Sequence, residues 1–155
     1  MINVLQKLKK IFPYLIILGV GFVCYWGALK NPFIWDDEET VVSNQFIRKW
    51  SNLPKIFTYS LFGEKFSGAS FYRPIQTASY FIDYAFWKLN PAGYHLTNLL
   101  IHILNTFLVF LIFRKLPVLN EFKITKAFFI SLIFLIHPVQ TESVVYVSGR
   151  GDLLA

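Results

Sequence analysis

Two uncharged apolar blocks, residues 11–29 and 94–113, limit this chain more than any other feature. As a helix, each is long enough to cross a bilayer hydrocarbon core of about 30 Å. A third block, residues 124–137, is short for a span, and the Lys126 ammonium must snorkel to an interface. A re-entrant or shallow segment is the alternative there. A soluble domain would disperse its apolar residues at amphipathic spacing and carry nearer a quarter charged residues. Here 55% of the 155 residues are hydrophobic and 15% charged, and the apolar residues come in runs. Lys30-Asn31-Pro32 follows the first block instead of a small-residue cleavage site, so that block reads as an uncleaved anchor. Pro13 then falls in its first turn, where a missing N–H costs little. The expected fold class is an all-α membrane protein, a polytopic helical bundle.

Basic residues set the expected orientation. Lys7, Lys9 and Lys10 precede the first block, and Arg114, Lys115, Lys123 and Lys126 lie around the second connection against one acid, Glu121. Two spans separate these segments, so both fall on one side, and the positive-inside rule makes it cytoplasmic. The N-terminus is then cytoplasmic, and the loop of residues 30–93 and the tail beyond His137 are extracytoplasmic. The net charge of +6 is topology control rather than a nucleic-acid surface, because the cations flank apolar blocks. The single cysteine, Cys24, excludes an intrachain disulfide.

Within the long loop, Ile75, Ala78, Ile82, Ala85, Phe86 and Leu89 recur at helical spacing after Pro74. They predict an amphipathic helix at the membrane surface, ending near Asn90-Pro91. A shorter helix is signalled weakly over residues 52–59.

Three groups of residues carry chemistry. Asp36, Asp37, Glu38 and Glu39 follow Trp35 just beyond the first block. A carboxylate there can take a proton from an acceptor hydroxyl, although the same run also reads as a solvated acidic turn. Adjacent acids without spaced ligands are a weak metal signal, and no metal site is expected. His95, Asn98, His102 and Asn105 form a polar stripe on one face of the second block. At membrane depth such side chains face protein or water, either as interhelical hydrogen bonds or, for His95 above all, as functional groups. His137, Glu142 and Arg150 follow the third block, and Arg73 precedes the loop helix. Arginine forks suit phosphate oxygens, whereas headgroup contacts and structural ion pairs are the ordinary uses.

Taken in order, Asn31-Pro32-Phe33-Ile34-Trp35-Asp36-Asp37 with Asn44, then Tyr72-Arg73-Pro74, form the first part of a recognisable pattern. Leu89-Asn90-Pro91-Ala92-Gly93-Tyr94-His95-Leu96-Thr97-Asn98 continues it. His137-Pro138-Val139-Gln140-Thr141-Glu142 and Gly149-Arg150-Gly151-Asp152-Leu153-Leu154 complete it. The set resembles the N-terminal membrane region of the transmembrane and tetratricopeptide-repeat O-mannosyltransferases, from about residue 31 to the last. The resemblance implies a GT-C glycosyltransferase that uses a polyprenyl-phosphate-linked sugar and needs no cofactor or metal. Asp36 or Asp37 would be the catalytic base, and Arg73, His137 and Arg150 would hold the donor phosphate; His95 and Glu142 are further candidates.

Members of that family have more spans and, in animals, helical repeats. The chain is therefore expected to be the N-terminal part of a longer protein, inactive alone and completed by further helices or a partner subunit. Its implied partners are membrane lipids, the lipid-linked donor and a protein, lipid or glycan acceptor. The membrane would be the plasma membrane of a prokaryote or the endoplasmic reticulum of a eukaryote. A non-catalytic anchor or assembly module that keeps the scaffold is the alternative.

Overall fold

The computed structural model describes residues 2–65, 71–117 and 122–155, with side chains from residue 11 onward. Glu121 and the side chains of Lys7, Lys9 and Lys10, on which part of the orientation argument rests, lie outside this description. Helices dominate, and among the described residues there is no strand, only an isolated bridge between Tyr59 and Lys65.

Helix α1 spans Ile2–Tyr25 and tightens into a 3₁₀ segment, Trp26–Lys30. It begins well before residue 11, so Pro13 lies inside the helix rather than in its first turn and removes one backbone bond there. After the loop come α2, Pro74–Trp87, and α3, Pro91–Lys115. Both start on proline, whose fixed φ suits a first helical residue. Asn90 caps α3 by accepting from the Ala92 N–H at 3.2 Å, and Arg114 and Lys115 sit where the helix dipole favours cations. Ile11–Lys30 and α3 are the two described helices long and apolar enough to cross a membrane. Helix α4, Lys123–Ile136, matches the third block, yet its 14 residues reach about 21 Å, short of the hydrocarbon core. The chain ends in α5, Gln140–Val145, a 3₁₀ turn, Val147–Gly149, and α6, Arg150–Leu153.

Two cores follow. In the first, α1, α3 and α4 interlock through Ile17, Leu99, Ile103, Phe110, Ala127 and Leu135. The Tyr14 ring stands edge-on to Phe107 and Phe110 at 5.4 and 5.3 Å. In the second, the loop folds over α2, with Val41, Phe46, Ile47, Ile56 and Leu61 against Tyr80, Phe81, Tyr94 and Val147. The loop supplies a π turn at Glu38–Val42 and 3₁₀ turns at Phe46–Arg48 and Trp50–Phe57. The last of these stands where the weak signal at residues 52–59 lay. Gly93 is needed where α2 meets α3, because a Cβ there would come within 2.1 Å of the Trp87 ring.

Helix α2 is inside out by the standards of a soluble protein. Gln76, Thr77, Tyr80, Phe81 and Asp83 are buried against the rest of the chain. Ile75, Ile82 and Phe86 stand 67%, 51% and 77% exposed. Polar side chains share the inner face with Tyr80 and Phe81, and the apolar outer face is a patch of the kind that meets a protein or a membrane.

Candidate functional site

The polar stripe of α3 is spent largely on backbone carbonyls at helix ends, which have no intrahelical donor. His102 Nε2–H donates to the Leu135 carbonyl at 2.9 Å, and Tyr25 Oη–H of α1 donates to the same oxygen at 3.0 Å. Asn98 Nδ2 donates to the Tyr146 carbonyl at 3.0 Å, and Asn105 Nδ2 to the Leu153 carbonyl at 2.7 Å. These three are interhelical fasteners. His95 is different: it is buried, and among the described residues neither ring nitrogen meets a partner in good hydrogen-bond geometry, with the Asn31 and Pro32 backbone nearest.

Arg150 is the hub of the second core and is fully buried. Its Nε donates to Asn98 Oδ1 at 2.6 Å, Nη1 to Ser79 Oγ at 2.9 Å and Nη2 to the Tyr94 carbonyl at 3.1 Å. Nη2 also lies 2.6 Å from Asp83 Oδ2, an ion-pair distance whose angle falls outside hydrogen-bond geometry. The Tyr80 ring stacks beneath the guanidinium at 4.8 Å. Asp83 accepts through its other oxygen from Thr97 Oγ1 at 2.7 Å. Burial raises the Asp83 carboxyl above its ordinary 3.8, with Arg150 and Thr97 pulling against it. Burial also raises the Tyr80 phenol. Asp83, Asn98 and Arg150 thus tie α2, α3 and α6 together.

The four-acid run separates its members sharply. Asp37 is completely buried, with Oδ1 accepting from the Ser148 N–H at 2.8 Å and from Ser148 Oγ at 2.7 Å. Its Oδ2 accepts from the Ile34 N–H at 3.2 Å. Asp36 turns to the outside; its carboxylate is exposed and its N–H donates to Tyr146 Oη at 3.2 Å. Burial, with Asp36 and Asp37 close by, raises the Tyr146 phenol. The turn that splits the pair begins at Trp35, whose φ of 49° costs roughly 1–2 kcal/mol in a non-glycine residue. Trp35 is itself 80% exposed and meets Tyr146 edge-on at 5.9 Å.

Ser148 carries the acid pair across to α2. Its carbonyl accepts from Gln76 Nε2 at 2.9 Å, and Gln76 Oε1 accepts from Arg73 Nη1 at 3.4 Å. Arg73 is exposed, lies 5.3 Å over the Phe71 ring, and lines a cavity of about 330 Å³ with Ile75, Gln76, Gly151, Asp152 and Leu154. His137 stands exposed at the end of α4, its Nδ1 accepting from the Val139 N–H at 3.2 Å. Glu142 is exposed on the first turn of α5. The hydrogen bonds therefore join Asp37 and Arg73 in one network, but do not draw His137 or Glu142 into it. Among the described residues no group of three His, Cys, Asp or Glu is placed to hold a metal.

Sequence reasoning passed over Gln76, Asp83, Tyr146 and Ser148. Asp83 had left a signal: it is the lone acid in an otherwise uncharged helix, a residue that needs a buried partner. Ser148 left none beyond its place beside Gly149-Arg150.

Comparison with known proteins bears on this arrangement. The chain is 31% identical over 143 residues to the human protein O-mannosyl-transferase TMTC3, and 30% identical over 145 residues to human TMTC1. A protein O-mannosyl-transferase of Caenorhabditis elegans is 29% identical over 143 residues. Each alignment takes in 90% of this chain but only 15%, 16% and 21% of those relatives. No protein-family model matches the chain, and no solved structure does. Over nine-tenths of its length, then, this chain resembles the TMTC protein O-mannosyl-transferases, of which it spans about a fifth or less.

Proposed function

We propose that the chain is part of a membrane glycosyltransferase that moves a sugar, mannose by its relatives' names, from a polyprenyl-phosphate donor to an acceptor hydroxyl. The reaction takes place on the extracytoplasmic side, with α1 and α3 crossing the bilayer and α2 lying along its outer surface. The observation that carries this reading is the splitting of the acid pair. Asp37 has three hydrogen bonds and no access, so it holds the loop. Asp36, next to it on an anchored backbone, keeps an open carboxylate that can serve as general base.

Asp36 takes the acceptor's hydroxyl proton, and the freed oxygen attacks the anomeric carbon. The bond from that carbon to the phosphate oxygen breaks, and the phosphate leaves with the electron pair. Arg73, at the mouth of the 330 Å³ cavity, meets the growing negative charge. The apolar walls of Ile75 and Leu154 suit the first isoprene units. Arg150, with its donors engaged by protein, serves by fixing the hub, and His137 is a second phosphate contact from the end of α4.

In the complete protein in its own membranes, Asp36→Asn lowers sugar transfer by roughly 10²–10⁴-fold, the usual contribution of a general base. Membrane insertion and thermal stability stay as in the wild type. Transfer by Asp36→Asn at the wild-type rate would remove Asp36 from the chemistry.

A further inference from the structure

The two halves of the proposed site, acid pair and arginine, lie on different elements, and among the described residues Ser148 and Gln76 join them. Ser148 gives both its N–H and its hydroxyl proton to Asp37 Oδ1, at 2.8 and 2.7 Å. A carboxylate can only accept, so the hydroxyl's direction is settled. The Thr40 hydroxyl, 2.9 Å away, must then donate to Ser148 Oγ. The Ser148 carbonyl in turn accepts from Gln76 Nε2 at 2.9 Å.

Gln76 has as little freedom. Its Nε2 also donates to Tyr80 Oη at 2.8 Å, and Tyr80 Oη–H donates to the Val147 carbonyl at 3.1 Å. Both amide protons are committed, and turning the amide over would set oxygen against oxygen at Ser148. Gln76 Oε1 is therefore aimed at Arg73 Nη1, 3.4 Å away. Gly151 keeps that contact open, because a Cβ there would stand 2.7 Å from Arg73 Nη1 and 2.8 Å from Gln76 Oε1. Gln76, Thr40 and Ser148 are all buried.

We infer that Ser148 and Gln76 are positioning residues that hold the acid pair and the Arg73 guanidinium in one fixed geometry. Ser148 sets the backbone from which Asp36 projects, and Gln76 fixes one edge of the Arg73 fork so that its remaining N–H groups face the donor phosphate. This rests on the assignment of Asp36 as base and Arg73 as phosphate ligand. The two ends of the network act on different steps: Ser148 on proton transfer, and the Gln76–Arg73 contact on donor binding.

The test uses the complete protein in detergent or nanodiscs, with sugar transfer and binding of polyprenyl monophosphate measured separately. Ser148→Ala should lower kcat about tenfold, on the scale of one charge-assisted hydrogen bond, with the donor KM unchanged. Ser148→Thr, which keeps the hydroxyl, should restore most of it. Gly151→Ala pushes on Arg73 Nη1 and Gln76 Oε1 together; it should raise donor KM and weaken polyprenyl monophosphate binding about tenfold, with kcat held. Gln76→Leu should show both defects.

Ser148→Ala with wild-type kcat, or a loss that Thr does not restore, overturns the Ser148 half. Undiminished phosphate binding by Gly151→Ala and Gln76→Leu overturns the other half. If these variants are silent while Asp36→Asn is dead, only this inference fails. If Asp36→Asn stays active, the reading of the reaction fails, and the binding measurements still decide the Gln76–Arg73 contact.

Discussion

The α1–α3–α4 bundle and the layer formed by the loop, α2, α5 and α6 are held together by opposite means. The bundle is packed mainly from aliphatic and aromatic side chains, and its interhelical polar contacts are few, such as the pair of donors on the Leu135 carbonyl. The layer has an apolar cluster too, but at its centre are a buried arginine, a buried aspartate and the amides of Asn98 and Gln76. In lipid there is little hydrophobic gain from burying one apolar face against another, so fit and hydrogen bonds must do the joining. Under the proposed function the layer answers to a second demand, that of holding charged side chains at fixed places. A packed apolar core has no means of orienting a carboxylate; a saturated polar network does.

The contrast can be broken most directly at Arg150. Arg150→Ala should cost about 3–5 kcal/mol by leaving Asp83 buried and uncompensated, read as a fall in Tm of the complete protein in detergent. Arg150→Met together with Asp83→Leu should recover much of that loss while still impairing sugar transfer. Recovery of both stability and transfer would mean that the buried charges orient nothing. In the bundle, Ile103→Ala should cost about 2 kcal/mol, the low end for such truncations, because in lipid the cavity term remains and the transfer term fades. A loss as large as that at Arg150 would erase the distinction between the two regions. Tyr25→Phe removes one of two donors to the Leu135 carbonyl and should cost about 1 kcal/mol, with transfer unaffected.

The smallest effect concerns pH. Because the folded state raises the Asp83 carboxyl above 3.8, it holds that proton longer than the unfolded chain does. Stability from this group is therefore greatest at low pH and declines as pH rises from 3.8 through the folded value. Unfolding measured across that window should show a flatter slope in Asp83→Asn than in the wild type. Equal slopes would mean that Arg150 fully offsets the desolvation of the carboxylate.

Much of the bundle was legible because length and absence of charge suffice to find a long apolar helix. Both long blocks appear as helices, and the loop helix starts at Pro74 as its spacing predicts. The π and 3₁₀ turns of the loop were not legible, since their order comes from tertiary packing rather than from any period. For α2 the helix was read from its spacing, yet the buried face joins Gln76, Thr77 and Asp83 to Tyr80 and Phe81. Spacing tells which residues share a face and leaves open which way that face turns. In the site, the run of acids was visible as a run, but its division into one buried and one open carboxylate depends on Ser148, 111 residues further on. No local pattern encodes a contact at that separation. The polar stripe of α3 was visible as well, and its use emerged only with the ends of α4, α5 and α6 in place.

The Leu135 carbonyl also bears on how the protein is made. Tyr25 is synthesised 110 residues before the carbonyl it donates to. At ordinary ribosome speeds that is a delay of roughly 5 to 20 s. For that interval the Tyr25 hydroxyl lacks this acceptor, while its ring can already meet His102 of α3. The arrival of α4 closes the arrangement, which makes the shortest of the three helices the one that ends the wait.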